Sequence, residues 1–297
     1  MVVWLALVTC AWAGLPSEPA GEPPTAGASP HVRAALIAEH ATVPAGGTTT
    51  LGVSFEIAPD WHLYWNGYSD TGMPPDVRLS APAGVALGEI QWPAPTRHVS
   101  PGDLLDLVYE RRVTLLVPVK VSEAVKAGDA VTITGELEWL VCKDSCVPGA
   151  QAVSITLPIV APGEGPKPDP ATAARFAEAR ARLPGSWNEA EGKQARLEGR
   201  TLRIAAPGAR GISVYPLADS RPVEDLLERG RAAGETLAVR LGGQAADPRP
   251  VRAVVEIDRG TARREFYLLE LPAPRAAGTP DGERRPTNDA GPRAPAK

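Results

Sequence analysis

Apolar residues in the stretch from 31 to 160 recur at every second position in short runs, and Pro and Gly break each run from the next. That pattern constrains the fold more than any other feature of the chain. Thr48 to Ile57 puts Leu51, Val53, Phe55 and Ile57 on one face of an extended segment, and Arg112 to Val121 does the same with Val113, Leu115, Val117 and Val119. A period of two is the signature of a half-buried strand. Val32 to Ala41, Trp61 to Trp65, Val77 to Leu79, Ile90 to Trp92, Val131 to Val141 and Ala152 to Ile159 are further strand candidates. Many short strands without a long helix predict an all-β, antiparallel sandwich over 31–160.

The rest of the 297 residues divides by composition. Residues 2–12 are apolar but too short to cross a bilayer, which takes about 20. Ala11-Trp12-Ala13 offers an export cleavage site before Gly14, so 1–13 reads as a signal peptide, though without the basic start such segments carry. Leu7-Val8-Thr9-Cys10 gives a variant reading, a lipoprotein anchored at Cys10; an apolar tail is the third. Residues 14–30 read as a Pro/Gly/Ala tether. Residues 161–184 are a Pro-rich linker followed by one predicted helix, Ala171 to Leu183, which stops at Pro184. Residues 185–272 return to strand patterns and predict a second, smaller β-domain. Its candidates are Arg196 to Ala205, Gly211 to Pro216, Thr236 to Leu241, Val251 to Ile257 and Arg264 to Leu271. Residues 273–297 have no pattern and read as a disordered tail.

A formal net charge of −4 gives no basic face for nucleic acid and no polybasic membrane patch. Of three cysteines, Cys10 lies in the segment expected to be removed. An exported chain would then hold only Cys142 and Cys146, a close pair in a compartment where disulfides persist.

In one straight strand the pair would lie about 13 Å apart at ~3.3 Å per residue. A disulfide needs Cα atoms within about 7 Å. If the two bond, Lys143-Asp144-Ser145 must be a hairpin loop, with the cysteines opposite each other at about 5.5 Å. Closing so short a loop restrains the unfolded chain by only about 2 kcal/mol, so the bond is a weak staple. Its surface position suits reversible exchange, and Lys143 beside Cys142 would favour a thiolate. On the residues alone, redox exchange, a structural disulfide and a metal site all stay open.

Several short motifs together resemble a known family. They are Trp61-His62-Leu63-Tyr64-Trp65, Asp70-Thr71-Gly72-Met73-Pro74, Ile90-Gln91-Trp92-Pro93-Ala94-Pro95, Tyr109-Glu110, Trp139-Leu140-Val141-Cys142 and Cys146-Val147-Pro148. In this order and spacing they resemble the N-terminal periplasmic domain of the DsbD family, closest to its ScsB-like branch, over residues 31–160. The resemblance implies an immunoglobulin-like fold and a redox-active pair, Cys142 and Cys146. It implies a protein that takes electrons from a membrane thiol reductant and passes them to thioredoxin-like periplasmic proteins, with no cofactor. Cys142 is expected to attack and Cys146 to resolve. Ser100 to Leu107 is expected to be a loop capping the cysteines, with Leu104 or Leu105 as its apolar tip. Tyr109 and Glu110 are candidate tuning residues, beside Lys143. Full-length members continue into a membrane domain and a thioredoxin-like domain, neither of which is read here, so the reductant would be another polypeptide. The alternatives are a protein-binding sandwich with a structural disulfide, and a copper(I)-binding tolerance protein.

Other chemistry-bearing residues favour plainer readings. His62 and Tyr64 read as packing aromatics. Met73 could join the cysteines as a soft copper(I) site, but the chain has only two Met. Asp103 and Asp106 read as solvated loop charges.

Overall fold

The computed structural model describes residue 29, residues 31–244 and residues 247–273. The expected signal segment with Cys10, nearly all of the expected tether and the tail from 274 lie outside the described residues.

Eleven strands build the first unit: β1 Val32–Ala38, β2 His40–Pro44, β3 Thr48–Ile57, β4 His62–Ser69, β5 Asp76–Ser80, β6 Val85–Leu87, β7 Thr96–Ser100, β8 Leu104–Glu110, β9 Arg112–Val121, β10 Ala130–Cys142 and β11 Cys146–Val160. They form two facing sheets. One is ordered β1-β3-β9-β6; the other runs β2-β11-β10-β4-β8-β7, with β5 on β10. This is the expected immunoglobulin-like sandwich. The face of β3 read from the sequence does turn inward, since Leu51, Val53, Phe55 and Ile57 are all buried. Leu115, Val117 and Val119 of β9 oppose them, with Trp65, Leu137, Trp139 and Val141 closing from the other sheet.

The hairpin β10–β11 is longer than its sequence suggests. Thirteen consecutive pairs run from Ala130↔Pro158 to Cys142↔Cys146. Val147, Pro148 and Gly149 lie in β11 and do not interrupt it, because Gly149 leaves room for the Trp139 indole: a Cβ there would lie 2.5 Å from its Nε1.

Three expectations are corrected. Ile90 to Trp92 is no strand; only Gln91 makes an isolated bridge, to Leu116. The nearby Pro93 and Pro95 lack the N–H that a ladder needs. Ser100 to Leu107 is not a capping loop but a hairpin, β7–β8, paired from Thr96↔Val108 to Ser100↔Leu104. Its turn falls on Gly102 (φ 90°) and Asp103 (φ 60°). Arg196 to Ala205 is two strands folded at Gly199 (φ 61°), where one was expected.

After the short β12, Lys167–Pro168, the helix α1 spans Ala173–Ala181. It is more than a connection: Phe176 and Ala179 bury against Leu116, with Ile37 and Leu183 alongside. Beyond it lie β13 Gly185–Ser186, β14 Gln194–Glu198, β15 Thr201–Ala205, β16 Gly211–Pro216, the short helix α2 Leu226–Arg229, β17 Arg231–Ala233, β18 Thr236–Arg240, β19 Val251–Asp258 and β20 Glu265–Leu271. These form sheets ordered β13-β20-β19-β16-β17 and β14-β15-β18 around a second core. The two cores touch. Tyr215, Val254 and Phe266 pack with the first, while Leu105 packs with the second. Arg97 Nη2 donates to the carbonyls of Leu226 and Leu227 at 2.9 and 2.8 Å.

Candidate functional site

Cys142 ends β10, Cys146 opens β11, and Lys143-Asp144-Ser145 turns between them. The cysteines form a disulfide with Cα atoms 4.2 Å apart. That is nearer the ~4.5 Å of a non-hydrogen-bonded antiparallel pair than the ~5.5 Å expected from the sequence. The two sulfurs meet different surroundings. Cys142 is 4% exposed and packs with Tyr64, Val108 and Leu140. Cys146 is exposed. The exposed member of the pair is therefore Cys146, whereas the sequence led to the expectation that Cys142 attacks.

Alternation along β4 and β8 decides what surrounds the pair. His62 and Tyr64 of β4 face the cysteines, while Leu63 and Trp65 face the core. The Tyr64 hydroxyl lies 3.6 Å from Cys146 Sγ and 2.9 Å from Thr71 Oγ1. Thr71 in turn donates its hydroxyl hydrogen to Asp106 Oδ2 at 2.7 Å. With that hydrogen committed, the Tyr64 hydroxyl is the donor, toward Thr71 or toward the sulfur. Burial raises the Tyr64 pKa, against the Thr71 hydrogen bond, and the Asp106 charge adds to the rise. The phenol keeps its proton as a donor.

Asp106 anchors this arrangement. It is 1% exposed, not a solvated loop charge. Its Oδ1 accepts from Ser69 Oγ and from the backbone N–H groups of Asp70 (2.9 Å) and Thr71 (3.0 Å). Burial works to raise its pKa, but the hydrogen bonds from Ser69, Thr71 and the backbone outweigh it and hold the carboxyl below its ordinary value. The segment Asp70-Thr71-Gly72 is thereby laid over Tyr64. Gly72 is obligatory in that approach, because a Cβ there would lie 2.1 Å from Tyr64 Cζ.

The remaining expected site residues fall in different places. Leu104 is 39% exposed at the start of β8, and Leu105 is buried in the second core. Neither belongs to the apolar group around Cys142, so the capping role expected for them is not supported; the residue laid beside the sulfur is Tyr64, whose hydroxyl Thr71 holds. Tyr109 points into the first core and donates to the Pro93 carbonyl, away from the cysteines. Glu110 does lie on the cysteine face, opposite His62 and 3.3 Å from His98 Nδ1. Lys143 Nζ pairs with Asp60 Oδ2 at 3.3 Å across the turn. Met73 is exposed. Among the described residues no group of three or more His, Cys, Asp or Glu could hold a metal ion.

Fold and site together define a class: an immunoglobulin-like sandwich that carries a disulfide at the tip of a long hairpin, with one cysteine exposed and the other buried. The comparisons agree. A model of the family described as "Thiol:disulfide interchange protein DsbD, N-terminal" matches residues 33–158, and this stretch of the chain is a DsbD-type N-terminal domain. The crystal structure of the N-terminal periplasmic domain of ScsB from Proteus mirabilis superposes with a TM-score of 0.53 at 13% identity, covering 83% of this chain and 95% of that one. That likeness is one of fold and extends over both β-units. The GAE domain of yeast GGA1 (TM-score 0.25, 12% identity, 43% of this chain, 94% of that one) is too remote to carry an argument. So is the E. coli chaperone DraB (0.22, 12%, 80% and 98%). No curated protein matches the chain. Among the described residues no helix is long and apolar enough to cross a membrane.

Proposed function

We propose that the protein is a thiol–disulfide exchange carrier of the bacterial periplasm, passing electrons from a membrane-bound thiol reductant to thioredoxin-like proteins. The observation that carries this is the contrast within the bonded pair, an exposed Cys146 against a buried Cys142, inside a domain of the interchange family. Exchange proceeds by attack of a thiolate on one sulfur of a disulfide, and access selects the sulfur. A donor thiolate attacks Cys146 Sγ, the Cys142–Cys146 bond breaks, and Cys142 leaves with the electron pair and takes a proton. A second donor thiol then releases Cys146. In the delivering direction the Cys146 thiolate attacks a substrate disulfide, and Cys142 resolves the mixed species. The Tyr64 hydroxyl supports this chemistry: it can turn its hydrogen from Thr71 to a thiolate on Cys146, a charge-assisted bond. A periplasmic location agrees with that of the ScsB domain whose fold the chain shares.

The test is the equilibrium reduction potential of the pair, read by thiol trapping in glutathione or dithiothreitol buffers. A value between about −270 and −180 mV, the span of thioredoxin-like carriers, is expected. A value well below about −300 mV, with no exchange over hours, marks a structural disulfide and refutes the carrier function.

A further inference from the structure

His62 lies opposite Cys142 across β4 and β10, and opposite Glu110 across β4 and β8. Residues facing each other in an antiparallel pair hold their Cβ atoms about 4.5–5.5 Å apart on one face. The His62 side chain is 3% exposed, and its Nδ1 is buried without a hydrogen-bond partner. Buried polar atoms are normally paired, so a free imidazole nitrogen on the residue opposite Cys142 asks for a reason. The ring also touches a second imidazole: the centroids of His62 and His98 are 4.4 Å apart. His98 Nδ1 reaches Glu110 Oε1 at 3.3 Å, and the Glu110 side chain is 53% exposed. A row of proton-carrying groups therefore runs from His62, opposite Cys142, to solvent.

We infer that His62 accepts the proton of the Cys142 thiol during resolution and hands it through His98 and Glu110 to water. The inference rests on the exchange function proposed above. Before the step, Cys146 Sγ is bonded to a partner sulfur and Cys142 is a thiol. The proton moves from Cys142 Sγ to His62 Nδ1. The sulfur electron pair forms the Cys142–Cys146 bond, and the bond from Cys146 to the partner breaks. The partner sulfur leaves as a thiolate and is protonated by solvent. The two cysteines are oxidised together by two electrons, and the partner is reduced by two.

The surroundings suit this role. An apolar pocket disfavours a free thiolate, so the buried cysteine needs a nearby acceptor for its proton. The groups facing His62 are Tyr64 on its own strand, His98 on β7, Asp106 and Glu110 on β8, and Cys142 on β10. Burial, then His98, lowers the His62 pKa, while Asp106 and Glu110 act the other way. The net direction keeps the imidazole neutral near pH 7, as a proton acceptor must be. His62 touches neither partner nor leaving sulfur; it is a positioning and proton-handling residue acting through Cys142.

The test uses the reduced full chain mixed with dithiobis-nitrobenzoate. The first thionitrobenzoate released reports attack by Cys146, and the second reports resolution by Cys142. His62→Gln is expected to leave the first release unchanged and to slow the second about 100-fold at pH 7, a typical share for general base catalysis. By about pH 9.5, above the ordinary thiol pKa, the second rate is expected to recover to within about 3-fold of wild type, since hydroxide removes the proton unaided. An unchanged second release, or the same loss at both pH values, overturns the inference. Should His62→Gln fail to fold, His98→Gln decides, because its ring is half-buried and less tied to the core. It is expected to shift the bend in the pH profile of the second release, and an unshifted profile overturns the inference. A wild-type protein that gives no first release refutes exchange at Cys146 itself, an outcome distinct from loss of the second release alone.

Discussion

Replacing Asp106 by Ala removes an acceptor of four hydrogen bonds, from Ser69 Oγ, Asp70 N, Thr71 N and Thr71 Oγ1. The two hydroxyls can rotate to water or to each other. The two backbone N–H groups cannot, and each loses a charged acceptor. Hydrogen bonds to charged groups contribute about 1.5–3 kcal/mol each, and this loop is close enough to solvent for the lower figure to apply. The expected loss is therefore about 3 kcal/mol for Asp106→Ala, and about half of that for Asp106→Asn, which keeps one oxygen. The assay is urea unfolding of the oxidised protein followed by Trp fluorescence, which Trp65 and Trp139 in the first core supply. The pH dependence follows from the lowered pKa of Asp106. A carboxyl depressed in the folded state stabilises fully above its unfolded value of about 3.9 and loses that contribution as pH falls through the folded value. The gap between wild type and Asp106→Ala is thus constant from pH 5 to 8 and closes as pH drops below about 4. A gap under ~1 kcal/mol at pH 7, or one that persists undiminished at pH 2, would refute the account of Asp106 as the ionised anchor.

Two further outcomes test the geometry beside the sulfurs. In the native state, Cys142→Ser, which keeps the exposed Cys146, is expected to react with iodoacetamide at least ~10-fold faster than Cys146→Ser, which keeps the buried Cys142; the opposite order would reverse the roles of the two sulfurs. Gly72→Ala forces a Cβ against the fully buried Tyr64 ring. It is expected to lower stability by about 1–3 kcal/mol in thermal unfolding, and an unchanged transition would mean the loop moves away freely.

The sandwich was legible because its strands alternate. Leu51 to Ile57 and Val113 to Val119 state their inward faces directly, and a spacing of four forces the cysteines into a hairpin once they bond. Strand β8 was not legible for the opposite reason. Leu104-Leu105-Asp106-Leu107-Val108-Tyr109 shows no alternation, since both faces of the strand are buried: Leu105, Leu107 and Tyr109 face the two cores, while Asp106 lies beneath the loop at Ser69–Gly72 and Val108 packs with Cys142. A near-continuous apolar run with one Asp then resembles a loop. The signal that could have placed Asp106 is the Ser69-Asp70-Thr71-Gly72 turn, a cluster of donors that needs a buried acceptor. His62 and Tyr64 read as packing residues because a single sequence does not show which face of β4 meets the cysteines; only the register against β10 does. Leu105 could not be assigned without knowing that the second unit docks there.

The length of the β10–β11 hairpin bears on how the two redox states compare. Twelve residue pairs below the cysteines hold the register by backbone hydrogen bonds, and Trp139 fixes the ladder to the core. The covalent bond at the tip closes a ring of five residues, Cys142 to Cys146. Cutting it therefore leaves the ladder standing, and oxidised and reduced proteins keep nearly one backbone. In the exchange function proposed above, a partner docking on this face would meet the same shape before and after electrons pass. Release of the spent partner would then come from the sulfur chemistry and its local charge, not from a change of form, and little nuclear rearrangement would oppose the transfer.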